Sequence, residues 1–109
     1  MALVRLLSLL AGARVGVATT FWAAGDPGNP NPFLACDRRP LKDHELLVAH
    51  PTLPCRSRVL LYAPRTGRWV VARVGDRGPR HTMVDLTVGT ARAIRANGFE
   101  GVLMVPLDH

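Results

Sequence analysis

The stretch Gly67-Arg68-Trp69-Val70-Val71-Ala72-Arg73-Val74-Gly75-Asp76-Arg77-Gly78-Pro79 holds the strongest structural signal in the chain. Trp69 to Val74 is rich in β-branched and aromatic residues, as a strand requires, and Asp76-Arg77-Gly78-Pro79 is a turn that stops it. Upstream, Arg58 to Ala63 has the same character, and Pro64-Arg65-Thr66-Gly67-Arg68 separates the two runs with Gly67 free to take a positive φ. The pair therefore reads as a β-hairpin. Inside its strand, Trp69 reads as a core residue.

Further strands flank this hairpin. Val15 to Trp22 alternates Val15, Val17, Thr19 and Phe21 with Gly16, Ala18, Thr20 and Trp22, the two-residue period of a strand. Leu46 to Ala49 is a short apolar run ending at His50-Pro51, where the proline pushes His50 to extended geometry. Val84 to Leu86 is another short strand, and Thr87 is placed to cap a helix that runs to about Asn97-Gly98. On that helix Thr90, Ala93, Ile94 and Asn97 share one face, opposite Arg92 and Arg95. Phe99 to Pro106 supplies a last strand, whereas Gly25 to Pro32 has three prolines and two glycines in eight residues and reads as loop. About six short strands and one helix fit a small closed barrel, since closure removes exposed edges.

Size and charge narrow the function. The 109 residues, 48% hydrophobic and 20% charged, suit one small globular domain and exclude a disordered chain; no run of about 18 apolar residues exists to span a bilayer. Net charge is +6, and of the 14 basic residues only Lys42 is a lysine. Arginine forks match carboxylates and phosphates, so the charge suits an anionic partner such as nucleic acid or a wall polymer, or serves solubility alone. Nucleic acid is the weaker partner, because no aromatic platform is interleaved with the arginines at recognisable spacing. Residues 1–14 resemble a short signal peptide, with Arg5, an apolar run Leu6 to Ala11 and the small triplet Ala11-Gly12-Ala13; the alternative is a retained N-terminal helix. Residues 15–109 form the domain.

Among residues able to carry chemistry, Asp76 at a strand end beside a Gly-Pro turn is well placed for a cleft. A carboxyl that donates a proton must first keep it, which burial or a nearby carboxylate favours and adjacent arginines oppose. Asp76 therefore reads equally as a turn residue paired with arginine. Asp85 points away from Val84 and Leu86, to a cleft or to a turn. His50 sits in an apolar setting that suits a structural histidine. Cys36 and Cys55 are most economically one disulfide, which implies an oxidising compartment, with two buried thiols as the alternative. A zinc site drawn from His44, His50, His81 and the cysteines matches no common spacing, and no phosphate loop, dinucleotide fingerprint or Gly-x-Ser-x-Gly is present, so no metal and no cofactor are expected.

Taken together, Ala18-Thr19-Thr20-Phe21-Trp22, Leu46-Leu47-Val48-Ala49-His50-Pro51-Thr52-Leu53-Pro54-Cys55, Gly67 to Pro79 and Val84-Asp85-Leu86-Thr87 resemble, in order and spacing, the blocks of the RlpA-like (rare lipoprotein A) double-psi β-barrel family. The resemblance covers residues from about 15 to 107. It implies a mainly β fold, a six-stranded double-psi β-barrel with one or two short helices, related to expansin and barwin domains. It also implies an extracytoplasmic place and lytic transglycosylase activity on the glycan strands of peptidoglycan, leaving 1,6-anhydro-muramoyl ends. By position Asp76 matches the family's catalytic Asp, His50 its cleft His and Asp85 a groove Asp. Trp22, Arg73, Arg77 and Arg80 are the expected glycan-binding residues, and a family subset with cysteines at these places supports a Cys36–Cys55 pairing. One departure stands out: Arg39 occupies the position of a family active-site Glu, with Asp37 and Glu45 the nearest carboxylates. Two other functions fit the same residues, a non-catalytic wall-binding module and a structural component of a phage particle or secretion machine.

Overall fold

The computed structural model describes residues 11–30 and 33–108. Most of the 1–14 leader expectation lies outside the described residues, and Arg14 already belongs to the first strand. Six strands, β1 (Arg14–Phe21), β2 (Leu47–Ala49), β3 (Arg58–Ala63), β4 (Arg68–Asp76), β5 (Val84–Thr87) and β6 (Glu100–Pro106), close into a barrel in the order β1-β5-β2-β4-β3-β6. The β1–β5 and β2–β4 pairs are parallel, and the other four pairings are antiparallel. The expected six-stranded barrel is thus present, with one helix, α1 (Val88–Ala93), among the described residues.

Strand alternation fills the lumen. Ala18, Val48, Val59, Leu61, Ala63, Ala72, Val74, Val84, Leu86, Val102 and Met104 are buried in one cluster, in which Leu61, Val74 and Met104 have no exposed surface. A second, smaller cluster of Phe21, Leu34, Leu41 and Ala49 seats the 22–46 loop on the outside of the strands that end at the groove. The period that turns Val70, Ala72 and Val74 inward turns Trp69 outward, where it is 64% exposed. The expectation that Trp69 lies in the core is therefore corrected: on a strand with a period of two, one face belongs to the small aliphatics.

The helix also departs from expectation, ending at Ala93 and not near Asn97. Thr87 caps its start by accepting from the Thr90 amide (3.3 Å), as its sequence position predicts. The end is drawn away by the β3–β4 hairpin. Thr66 Oγ1 donates to the Ile94 carbonyl (2.7 Å) and Arg65 Nη2 to the Arg95 carbonyl (2.8 Å), with Arg95 at φ 52°, while the Asn97 amide donates to the buried Glu100 (2.9 Å). The hairpin thus takes carbonyls that another helical turn would need. At the other end, Gly89 permits close packing: a Cβ there would lie 2.5 Å from the His44 carbonyl oxygen.

Cys36 and Cys55 form a disulfide with a Cα–Cα distance of 5.5 Å, tying the 33–41 loop to the segment before β3. With the linked positions 19 apart in sequence, breaking it frees a loop whose closure contributes about 3 kcal/mol in the chain-entropy view. Equilibrium urea unfolding with and without reductant should show the reduced protein, or Cys36→Ala with Cys55→Ala, less stable by about 2–4 kcal/mol; coincident curves would refute a stabilising role.

Candidate active site

The carboxyl ends of β2 and β4 and the middle of β5 meet at one side of the barrel, and a groove of about 390 Å³ opens there. Phe21, Gly28, Asn29, Ala49, Asp76, Arg77, Gly78, Pro79, Arg80, His81 and Asp85 line it. Two of the three residues expected to be catalytic, Asp76 and Asp85, therefore share one groove.

Asp76 is fixed by its surroundings. Its Oδ1 accepts from the Ala35 amide (3.0 Å) and the Arg77 amide (2.9 Å), and its carbonyl accepts from the His50 amide (3.1 Å). No partner for Oδ2 occurs among the described residues, so one oxygen holds the side chain in place and the other is available to a ligand. Gly78 follows at φ 110°, a conformation that glycine adopts readily, and this lets the chain turn back to line the groove with Pro79 and Arg80.

Asp85 differs in kind. Its Oδ1 accepts from Thr19 Oγ1 (3.0 Å), which lies 3.1 Å from Thr82 Oγ1. Burial pushes the Asp85 carboxyl above its ordinary range, and the negative charges of Asp26 and Asp76 push the same way, partly offset by the Thr19 hydrogen bond. Asp85 is thus a groove carboxyl held toward its protonated form.

His50 is 4% exposed and is not among the residues lining the groove. Its Nδ1 accepts from the Thr52 (3.1 Å) and Leu53 (3.0 Å) amides, and Arg14 Nη1 lies 3.4 Å from its Nε2. Burial, then Arg14 and Arg77, hold the imidazole below its usual range, so it is neutral at neutral pH. Its ring organises the 50–53 turn, and its backbone amide reaches Asp76.

The arginines that cluster in sequence separate in space. Arg77 and Arg80 line the groove, but the Arg77 guanidinium already donates to the His50 carbonyl (3.1 Å), the Leu53 carbonyl and Cys55 Sγ (3.4 Å). Arg73 lies on the outward side of β4 and donates to the Arg56 carbonyl (2.9 Å). Trp22 is 37% exposed and, like Arg73, is not among the lining residues. Arg80 has no ion pair or side-chain hydrogen bond among the described residues and is the arginine most open to a ligand. Arg39 pairs with Glu45 (2.7 Å), which lowers the Glu45 carboxyl below its ordinary range, and lies 3.9 Å from Asp37. All three stand apart from the groove lining, so neither nearby carboxylate takes the place that Arg39 leaves.

Sequence reasoning did not single out Asp26, Thr19 or Asn29. Asp26 is 8% exposed; its Oδ1 accepts from Gly28 N (2.9 Å) and its Oδ2 from Trp22 N (3.0 Å), folding the 22–29 loop so that Gly28 and Asn29 form one wall of the groove. Asp26-Pro27-Gly28 is a recognisable signature of this Asx turn, in which a carboxylate bonds the amide two residues on. Among the described residues, no group of three or more His, Cys, Asp and Glu side chains is gathered to hold a metal ion, and no helix is long and apolar enough to cross a membrane.

No protein-family model matches the chain. Two curated relatives do. A Nostoc sp. protein named probable endolytic peptidoglycan transglycosylase RlpA is 35% identical over 95 residues, covering 85% of this chain and 24% of that protein. A Synechocystis sp. protein of the same name is 45% identical over 65 residues, covering 58% of this chain and 20% of that protein. The chain thus spans a quarter or less of the length of these relatives. Sequence similarity across most of the barrel, the closed six-strand topology and the block order from β1 to β5 agree, and the chain is an RlpA-like β-barrel domain.

Proposed function

We propose that the domain cleaves peptidoglycan glycan strands by lytic transglycosylation, with Asp85 carrying the proton and Asp76 as the facing carboxylate. The observation that supports this most is the pairing, in one groove, of a carboxyl that burial pushes toward its protonated form with a second carboxyl whose Oδ2 has no partner among the described residues. Such a division of environment separates the roles of two like groups. The names of the two relatives support the same substrate class, a wall polymer outside the cytoplasm.

Protonated Asp85 donates to the glycosidic oxygen that follows N-acetylmuramic acid, and the bond from that oxygen to C1 breaks. The sugar's own 6-hydroxyl attacks C1 and gives its proton to the Asp85 carboxylate, which restores the acid and leaves a 1,6-anhydro end. Water is not consumed. Asp76 stabilises the positive charge developing at the ring, and Arg80 draws in the anionic stem peptides. His50 positions Asp76 through its backbone amide, and its neutral ring takes no proton in the cycle.

Arg39 favours a second reading, a wall-binding module without turnover, because it stands where the family has an active-site Glu and is committed to Glu45. Digestion of purified sacculi followed by mass analysis of the released ends separates the two. Native protein should release 1,6-anhydro products, and Asp85→Asn should lower the rate by about 10²–10⁴-fold. Intact glycan that remains bound to the protein would sustain the binding module and refute the enzyme.

The raised Asp85 carboxyl also fixes two signs. Activity should fall as pH rises through the folded-state pKa of Asp85, because the acid form is lost. The same group contributes its full stability below the ordinary aspartate pKa and loses it as pH climbs through the raised folded value. Asp85→Asn, which preserves the Thr19 contact without the charge, should therefore melt about 2–5 °C above the native protein at pH 8, with the gap closing in acid. Equal or lower melting at pH 8 would show that Asp85 is not held against its charge.

A further inference from the structure

The outer wall of the barrel, at the end away from the groove, carries a feature that catalysis does not use. Register places Val15 of β1 opposite Leu103 of β6, Leu103 opposite Tyr62 of β3, and Tyr62 opposite Trp69 of β4. All four lie at outward positions of their strands, with Val15 85% and Trp69 64% exposed. At one inter-strand spacing per step, they form a row about 14 Å long across four strands. Beside the row lies a mostly apolar hollow of about 320 Å³, lined by Val15, Pro64, Gly101 and Leu103 together with the Arg65–Glu100 ion pair. Along β4, Trp69 is seven residues from Asp76, about 23 Å in an extended strand, so the row and the groove are separate places.

We infer that this row is a second glycan-docking platform, on which an acidic peptidoglycan strand lies with its sugar faces against Trp69 and Tyr62. The inference rests on the peptidoglycan reading above and adds to it a holding surface apart from the groove. Stacking on paired rings suits the apolar faces of pyranose rings, and the hollow suits the methyl groups of N-acetyl and lactyl substituents. Charge selects this occupant over a second copy of the chain. The outward positions of β1, β3, β4 and β6 bear no acidic side chain, and Glu100 and Asp108 at the rim are already paired with Arg65 and Arg58. Arg73, outward on the same strand as Trp69, has no ion pair among the described residues. Two copies meeting here would set like charges against each other in a protein of net charge +6, whereas a strand bearing stem-peptide carboxylates would neutralise them.

Two measurements test the platform: pull-down on isolated sacculi, and emission of Trp69 in a Trp22→Phe background titrated with solubilised, uncrosslinked glycan strands that retain their stem peptides. Trp69→Ala should weaken sacculus binding about tenfold or more, Trp69→Phe should restore most of it, and Trp69 emission should shift on titration. Circular dichroism confirms that each variant is folded. Binding of Trp69→Ala equal to native, unchanged Trp69 emission, or no binding by native protein would overturn the platform. So would a native dimer in sedimentation that Trp69→Ala converts to monomer with sacculus binding intact. Glycan that is bound through Trp69 but never cleaved would uphold the platform while refuting the transglycosylase reading, so the two fail independently.

Discussion

Much of the groove depends on how the end of β4 is held. Gly75 and Asp76 receive two separate segments: the Cys36 amide donates to the Gly75 carbonyl (3.2 Å) and the neighbouring Ala35 amide to Asp76 Oδ1, while the His50 amide donates to the Asp76 carbonyl. Arg77 then reaches back to the 50–55 segment, whose cysteine is bonded to Cys36. Two loops far apart in sequence are therefore clamped on one strand end within a few residues of each other. Gly75 contributes by what it lacks, since a Cβ there would come within 3.0 Å of Leu47 Cδ1 and press on the β2–β4 pairing. A small barrel with one short helix among the described residues has few other ways to hold long loops, and a covalent link at this point limits what the loops can do in the unfolded chain.

The same clamp settles an electrostatic difficulty posed by the sequence. Arginines adjacent to Asp76 would be expected to oppose any proton-carrying role in the groove. In space, Arg73 faces the outer wall, and the Arg77 fork is held by the His50 carbonyl and Cys55 Sγ. Asp85, reached by neither, sits between Thr19 and the negative charges of Asp26 and Asp76. Burying a carboxyl beside two others costs stability, and a fold seldom retains such an arrangement without use for it. Glu100 illustrates the contrary case. It is 3% exposed where Asp85 is half-buried, but Arg65 and the Asn97 amide bond to it and hold its carboxyl below the ordinary range, so its role is to fasten the hairpin to the turn after α1.

Sequence reasoning reached the barrel because its signals are local. Alternation in β1, the hairpin runs of β3 and β4, the Thr87 cap and the Asp76 turn each rest on neighbours within a few residues, and all appear in the structure. It reached the groove in part, since matching blocks brought Asp76 and Asp85 together. What it missed depends on contacts between distant segments. The short helix is set by Thr66 and Arg65 some thirty residues away, the placement of Arg73 by the outward parity of β4, and the upward shift of the Asp85 carboxyl by burial together with the charge of Asp26 across a loop. Trp69 is a subtler case. Its strand was legible, but its face follows from which of two alternating sets fits the lumen, and Val70, Ala72 and Val74 occupy it.

That outward Trp69 changes the meaning of the net charge. A charge of +6 spread evenly would do little more than keep the protein soluble. Here Arg39, Arg56, Arg58 and Arg65 are offset in ion pairs. Among the described arginines without an ion pair, Arg80 opens onto the carboxylate groove and Arg73 faces outward on the strand that carries Trp69. A long anionic polymer can touch both without the domain moving, because each contact is made by a different part of one strand. Weak attachment at each place then multiplies, since the first contact raises the local concentration of glycan for the second. For a domain whose substrate is an insoluble mesh, holding the polymer away from the reacting bond keeps the groove free for chemistry, which favours separating the apolar grip from the acid in the fold.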